Sequence, residues 1–237
     1  MLPKLDVPTY ELVLPLSKKK IKFRPFLVKE QKNLLMAMEA NDSETIHNAI
    51  RDVLNNCTMT PDFRIDETPI IDIEYYFLQL RAKSVGEFVE LILKCDTCED
   101  EKASVKYDID LTKINVNIPK EHNKTISLFN DVGVIMKYPS LEMLKKLEGL
   151  TGSDAEAIFE IIQSCIDSVY DSQQMYSTKD HKPEEIRQFI DNLTQEQFMK
   201  LQQFFETMPK LEEKVNYKCP MCGKDHEKFV RGLEAFF

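Results

Sequence analysis

Two Cys-x-x-Cys pairs, Cys95/Cys98 and Cys219/Cys222, constrain this chain more than any other feature. Two residues between cysteines let one tight turn bring both thiolates to a single metal ion, and four thiolates complete a tetrahedral zinc site. Cys219-Pro220-Met221-Cys222-Gly223 is the stronger form of the motif. Its proline fixes the turn, and Gly223 accepts the positive φ often needed after the second ligand. Cys95-Asp96-Thr97-Cys98 has Glu99 where a glycine is expected. Each pair follows a strand-like run, Glu87–Lys94 or Leu211–Lys218, and precedes another, Ala103–Ile109 or Lys228–Val230. The expectation is two hairpin knuckles facing one another across one zinc ion, as in a zinc ribbon, with Cys95, Cys98, Cys219 and Cys222 as ligands. Such a closed site has no open coordination position, so it stabilises the fold and hydrolyses nothing.

Three other readings compete for these cysteines. A thioredoxin-like dithiol needs its CxxC at a helix N-terminus within a βαβ unit, whereas Cys222 leads into Gly223-Lys224-Asp225-His226 and more strand. A catalytic zinc needs a missing ligand, with His226 or His122 substituting; His226 reads as an outer-shell or surface residue. The blandest reading leaves the pairs without metal. Elsewhere the chemistry is thin. His47, His122, His181 and His226 sit in no catalytic motif, no P-loop or GxGxxG occurs, and only 6 glycines are present. An enzyme is disfavoured.

The wide separation of the two pairs has a sequence explanation, an internal duplication. The first half opens with alternating runs, Tyr10–Leu14 and Lys20–Phe23, around the polar tip Ser17-Lys18-Lys19. The second opens with Thr125–Leu128 and Gly133–Tyr138 around Asn130-Asp131. Both read as β-hairpins, and both run into a proline, Pro25 or Pro139, and then a helix. A second helix follows in each half, with Ile46, Ile50, Val53, Leu54 and Cys57 at helical spacing in one, and Ile158, Ile161, Ile162, Cys165, Ile166 and Val169 in the other. Cys57 and Cys165 fall on these apolar stripes and read as buried thiols. A third helix precedes each CxxC, Ile73–Lys83 and Thr194–Met208. Ser153 with Glu156, and Thr194 with Gln197, suit capping boxes, and Pro183 suits the start of a helix. Thr60–Pro69 reads as an irregular loop and Asp171–Pro183 as an exposed polar one. The resulting expectation is an α+β chain of two similar hairpin-plus-helices halves, 1–118 and 119–237, joined by the zinc-ribbon-like site.

Bulk composition narrows the function classes. Hydrophobic residues make up 43% and charged residues 30% of the 237 positions, as in a folded globule. A formal net charge of -9 argues against nucleic acid as the main partner, because phosphate binding needs clustered Lys and Arg. No stretch is long and apolar enough for a membrane span, and the N-terminus has no secretory pattern. The chain therefore reads as intracellular, where 6 cysteines are no disulfide framework.

Several segments carry a family resemblance. Leu2-Pro3-Lys4-Leu5-Asp6-Val7-Pro8-Thr9-Tyr10-Glu11, Ile21–Glu30, Asp72–Tyr75, Leu80–Glu87 and the tail His226–Phe237 resemble baseplate hub proteins of T-even-type contractile-tailed phages. The resemblance covers nearly the whole chain. It implies a hub component or hub assembly factor that works through contacts with other tail and baseplate proteins, in the host cytoplasm during assembly or in the virion tail. It implies no catalysis and no small-molecule substrate. Leu233, Phe236 and Phe237 read as apolar anchors or as core at the terminus. A zinc-ribbon adaptor for nucleic acid, and a CxxC oxidoreductase, are the alternatives from other classes.

Overall fold

The alternation Lys20-Ile21-Lys22-Phe23, exposed and buried in turn, is the signature of a half-buried strand. In the computed structural model, which describes residues 6–40, 42–98, 100–143 and 154–231, it forms β2 (Lys20–Phe23), antiparallel to β1 (Tyr10–Val13). The hairpin tip is held from outside: the buried carboxylate of Asp72 accepts the N–H groups of Leu16 and Ser17, each at 2.8 Å. The described residues up to Ile65, together with Ile71–Asn117 and those from Lys210 onward, form one compact unit. Asp66–Ile70 and Ile118–Pro209 form a second. The units thus follow packing and not chain order. The terminal strands fold with the first unit, and a short piece of the loop read over Thr60–Pro69 folds with the second.

In the first unit β2 leads through Pro25 into α1 (Val28–Ala40) and then α2 (Ser43–Cys57). Glu30 accepts the Leu27 N–H at 2.8 Å, which satisfies an orphan donor at the start of α1, and Asp42 does the same for Thr45 at the start of α2. The chain leaving α2 returns to β2, where Phe23 bridges Thr58 and the Arg24 N–H donates to the Cys57 carbonyl at 3.0 Å. Next comes α3 (Ile70–Ser84), buried on almost every side through Ile71, Ile73, Tyr76, Phe77, Leu78, Leu80 and Ala82. A helix apolar all round belongs in the middle of a core. Tyr76 meets Phe23 edge-on and bonds the Thr58 hydroxyl at 3.0 Å.

The second unit is a four-stranded antiparallel sheet, β6 (Thr125–Phe129), β7 (Val132–Met136), β8 (Ile166–Tyr170) and β9 (Met175–Ser177), in that order, with helices α4 (Asp154–Cys165), α5 (Pro183–Asp191) and α6 (Gln195–Glu206). Asn130, at φ 46°, makes the turn between β6 and β7. Gly133 is required across β7 and β8, since a Cβ there would lie 2.3 Å from the Tyr170 hydroxyl. Pro183 opens α5, and Thr194 and Gln197 form the expected capping box at 2.8 and 3.3 Å. Ser153 of the other expected box lies outside the described residues.

One expectation needs correction. Ile166 and Val169 share a helical stripe with Ile158 and Ile162, yet the helix stops at Cys165 and Ile166–Tyr170 is a strand. The same residues also satisfy a period of two, with Ile166 and Ser168 buried and Asp167 exposed. Pairing with β7 resolves the ambiguity in favour of the strand. The segment after it, read as an exposed polar loop, contains β9 and a 3₁₀ turn at Thr178–Asp180. Cys57 and Cys165 are buried as read, and burial pushes their thiols up to about 11 and about 12.

Glu30 gives the first unit a measurable acid sensitivity. Burial opposes its charge, but the Leu27 N–H and the Arg24 guanidinium, 3.1 Å away, outweigh burial and hold its pKa below the ordinary 4.5. A carboxylate with a depressed folded pKa contributes stability that is complete above the unfolded value and fades as pH falls through the folded one. Glu30→Gln is therefore expected to be less stable than the parent at neutral pH, with the gap closing below pH 4.5. Urea unfolding across that range measures it; a gap independent of pH contradicts the assignment.

Candidate metal centre

The two cysteine hairpins are built alike. β3 (Phe88–Lys94) runs into Cys95 and returns after Cys98 as β4 (Ser104–Asp110), paired from Phe88↔Asp110 to Lys94↔Ser104. β10 (Lys210–Lys218) runs into Cys219 and returns after Gly223 as β11 (Asp225–Arg231), paired from Glu212↔Arg231 to Lys218↔Asp225. The short β5 (Val116–Asn117) flanks β10. Each hairpin has one apolar face, and both faces enter the same core. Val89, Leu93 and Ile109 from the first pack with Leu211, Val215, Tyr217 and Val230 from the second, over Leu78 and Ala82 of α3. That shared core aims both tips at one place.

At the tips the backbone turns onto the sulfurs. In the first, the Cys95 N–H donates to the Ala103 carbonyl at 3.3 Å and the Thr97 N–H points at Cys95 Sγ at 3.4 Å. In the second, the Cys219 N–H donates to Lys224 at 2.9 Å, the Gly223 N–H to Cys219 at 3.0 Å, and the Cys222 N–H points at Cys219 Sγ at 3.5 Å. Gly223 has φ +70°, the left-handed conformation expected of it. Cys95 Sγ lies 3.8 Å from Cys222 Sγ, and Cys98 Sγ lies 4.0 Å from Cys219 Sγ. All four sulfurs fall within 4.8 Å of one another.

These distances test whether a metal fits. A tetrahedral ion with Zn–S bonds of about 2.3 Å sets its sulfurs about 3.8 Å apart. The cluster meets that spacing on these two edges, so these four cysteines could hold one ion. They are free thiols too far apart for disulfides, whose S–S bond is about 2.05 Å. Cys95 and Cys219 are buried, Cys98 is half-buried and Cys222 is exposed, so the site opens to solvent on one side. Without an ion the thiols conflict. The Thr97 N–H, helped by that of Cys98, draws Cys95 down to about 6, while the Cys222 thiol and burial push Cys98 up to about 12. A divalent cation removes that conflict by favouring every thiolate at once.

A second layer surrounds the sulfurs. His226 Nε2 lies 3.2 Å from Cys95 Sγ, and its Nδ1 lies 3.7 Å from Asp96. The imidazole stacks on Tyr217, directly opposite it in the ladder, with ring centres 5.1 Å apart. The Tyr217 hydroxyl donates to the Lys94 carbonyl at 2.6 Å, and Lys224 reaches Thr97 at 3.3 Å, so both bonds cross between the hairpins. Sequence reasoning placed His226 near the site but missed Tyr217, because only the β10–β11 register brings that ring beside the histidine. The other described histidines serve elsewhere: His122 sits between Thr207 and Tyr138 in the second unit, each 3.1 Å away, and His181 faces Glu185. The second cysteine turn leads into β11, and a 3₁₀ turn at Glu101–Ala103 is all that separates the first from β4, so neither pair heads an α-helix as in a thioredoxin-like dithiol.

Residues 7–237 match the T4 bacteriophage base plate protein family. The chain belongs to that family. The resemblance read from its opening, its Leu80–Glu87 segment and its tail therefore holds over almost the full length. The baseplate hub assembly protein gp26 of Enterobacteria phage T4 is 24% identical over 229 residues, which cover 96% of this chain and 97% of the relative. No solved structure matches the chain. No helix among the described residues of this baseplate-family protein is long and apolar enough to cross a membrane.

The Tyr217 bond between the hairpins gives a direct check. Tyr217→Phe keeps the ring against His226 and removes only the hydroxyl, which should cost about 1 kcal/mol of unfolding free energy. Denaturant titration reads the change; an unaltered midpoint shows that the bond contributes nothing net.

Proposed function

We propose that this chain is a non-enzymatic assembly factor or component of a phage baseplate hub, working through contacts with other tail proteins and stabilised by one structural zinc ion. The observation that carries the reading is the end-to-end match to a baseplate hub assembly protein, 96% of one chain against 97% of the other. A match over such lengths covers the whole architecture, not a shared module. The four-sulfur cluster supports the second part. Its spacing suits tetrahedral ligation by Cys95, Cys98, Cys219 and Cys222, and four thiolates leave no position for substrate. Such an ion holds two hairpins whose cysteines are far apart in sequence. It would act on folding, not on a reaction. The acidic balance, -9, keeps the nucleic-acid adaptor in second place. On this reading the protein works in the host cytoplasm, where tails are built, or stays in the finished tail.

The duplication belongs to the same proposal, with halves 1–118 and 119–237. Its support is topological. In each half a hairpin is followed by a helix whose last residue, Cys57 or Cys165, accepts a backbone bond from the residue just after the hairpin: Arg24 at 3.0 Å or Lys137 at 2.7 Å. The next residue then pairs with the end of the hairpin, Thr58 with Phe23 and Ile166 with Met136. Each half ends in helix, strand, CxxC and strand.

Two experiments test the proposal. A phage lacking this gene should yield tails without complete baseplates in electron micrographs, restored by supplying the chain in trans; normal tails from the deletion overturn the assembly role. Elemental analysis of the purified chain should find one zinc per molecule, lost in Cys219→Ser together with several kcal/mol of stability. A metal-free parent with the same melting temperature as the variant removes the zinc from the proposal.

A further inference from the structure

Helix α1 presents a surface that its own fold does not use. Leu34-Leu35-Met36-Ala37-Met38 is apolar at five consecutive positions, and 100° per residue distributes them around the whole helix. Only Leu34 and Ala37 are buried. Leu35 is 53% exposed, Met36 57% and Val28, in the first turn, 81%. Large apolar side chains gathered in this way on one helix mark a surface that another molecule covers.

Beside that face runs a groove of about 160 Å³. Gln31, Leu35 and Met38, at i, i+4 and i+7, form one wall, with Phe26 and Leu34; Arg81 and Val85 near the end of α3 form the other. Its only polar lining is one amide and one guanidinium. Nη1 of Arg81 is buried and has no hydrogen-bond partner among the described residues. Burial lowers the Arg81 pKa, yet a guanidinium stays charged. The Arg81 guanidinium lines the groove, so a carboxylate arriving there meets its charge with a charge-assisted bond.

We propose that this groove is the docking site for an amphipathic helix of another tail protein, which lays apolar side chains against Leu35, Met38 and Val85 and brings one carboxylate to Arg81. The row Gln31–Leu35–Met38 is a helix ridge of the kind that seats a second helix. Methionines adapt such a surface to its partner. A second copy of this chain is the poorer occupant, because a two-fold contact of the groove on itself sets the Arg81 guanidinium against its own copy. The inference rests on the assembly reading, in that it requires a tail-protein partner.

The test uses the full chain in phage-producing cells. A photo-crosslinking residue at Leu35 should trap a helical segment of a different tail protein carrying an acidic residue among apolar ones. Leu35→Asp and Met38→Asp should reduce recovery of that protein at least tenfold, the loss of a central anchor, with melting temperature unchanged because both sites are exposed. Arg81→Glu should lose it as well, and reversing the charge of the trapped acidic residue should restore it, which mere misfolding of the variant cannot do. Crosslinks only to another copy of this chain, to a partner segment without acid, or to nothing while tail proteins still co-purify, overturn the groove and leave the assembly role standing. Absence of any tail protein from the parent preparation overturns both.

Discussion

The first unit depends on one convergence: two cysteine hairpins share a single apolar core over α3. Without Leu78 and Ala82 beneath them, Val89 and Leu93 of one hairpin would have no common floor with Leu211 and Val215 of the other. A two-stranded hairpin is marginal alone in water. Each of these obtains its stability from the other and from the helix. The four sulfurs gather within 4.8 Å of one another because the core has already set the hairpins. The direction of dependence matters for the metal. A site whose ligands are held by a core is tuned by an ion, whereas a small zinc finger is created by one.

Much of this was legible in the sequence, and the reason is local. Alternation in Lys20–Phe23, the Thr194/Gln197 cap, proline at the head of α5 and the CxxC spacing all act within a few residues, so they read directly. What could not be read is non-local. Ile166–Tyr170 fits a helix and a strand equally well by period, and only β7 decides between them. The passage of Lys210–Arg231 into the first unit depends on contacts with β5 and with the α3 core. No local signal announces such a return. Likewise Tyr217 looks like an ordinary strand aromatic until the register puts it opposite His226.

The candidate metal site divides along the same line. Its candidate ligands were legible from spacing alone, since four of the 6 cysteines stand in Cys-x-x-Cys pairs. Its surroundings were not. The unequal exposure of Cys95 and Cys222, and the contacts of Cys95 with Thr97 N–H and His226, come from the hairpins' different partners. Both knuckles close through backbone bonds, yet only the second contains a glycine in the left-handed region.

That asymmetry sits in a chain whose two proposed halves exchange segments. Two similar halves could each have folded as a separate body, with its own hairpin, helices and cysteine turn. Instead the second half's last two strands pack in the first unit, while Asp66–Ile70 from the first half pairs into the second, through Ile70 to Pro139 and Pro69 to Ser140. Exchange in both directions means that the chain passes between the units more than once. An assembly contact is only as stiff as the frame that presents it. Helix α1, exposed along one flank and anchored on α2 by its other, is the kind of element such a frame holds out to a partner.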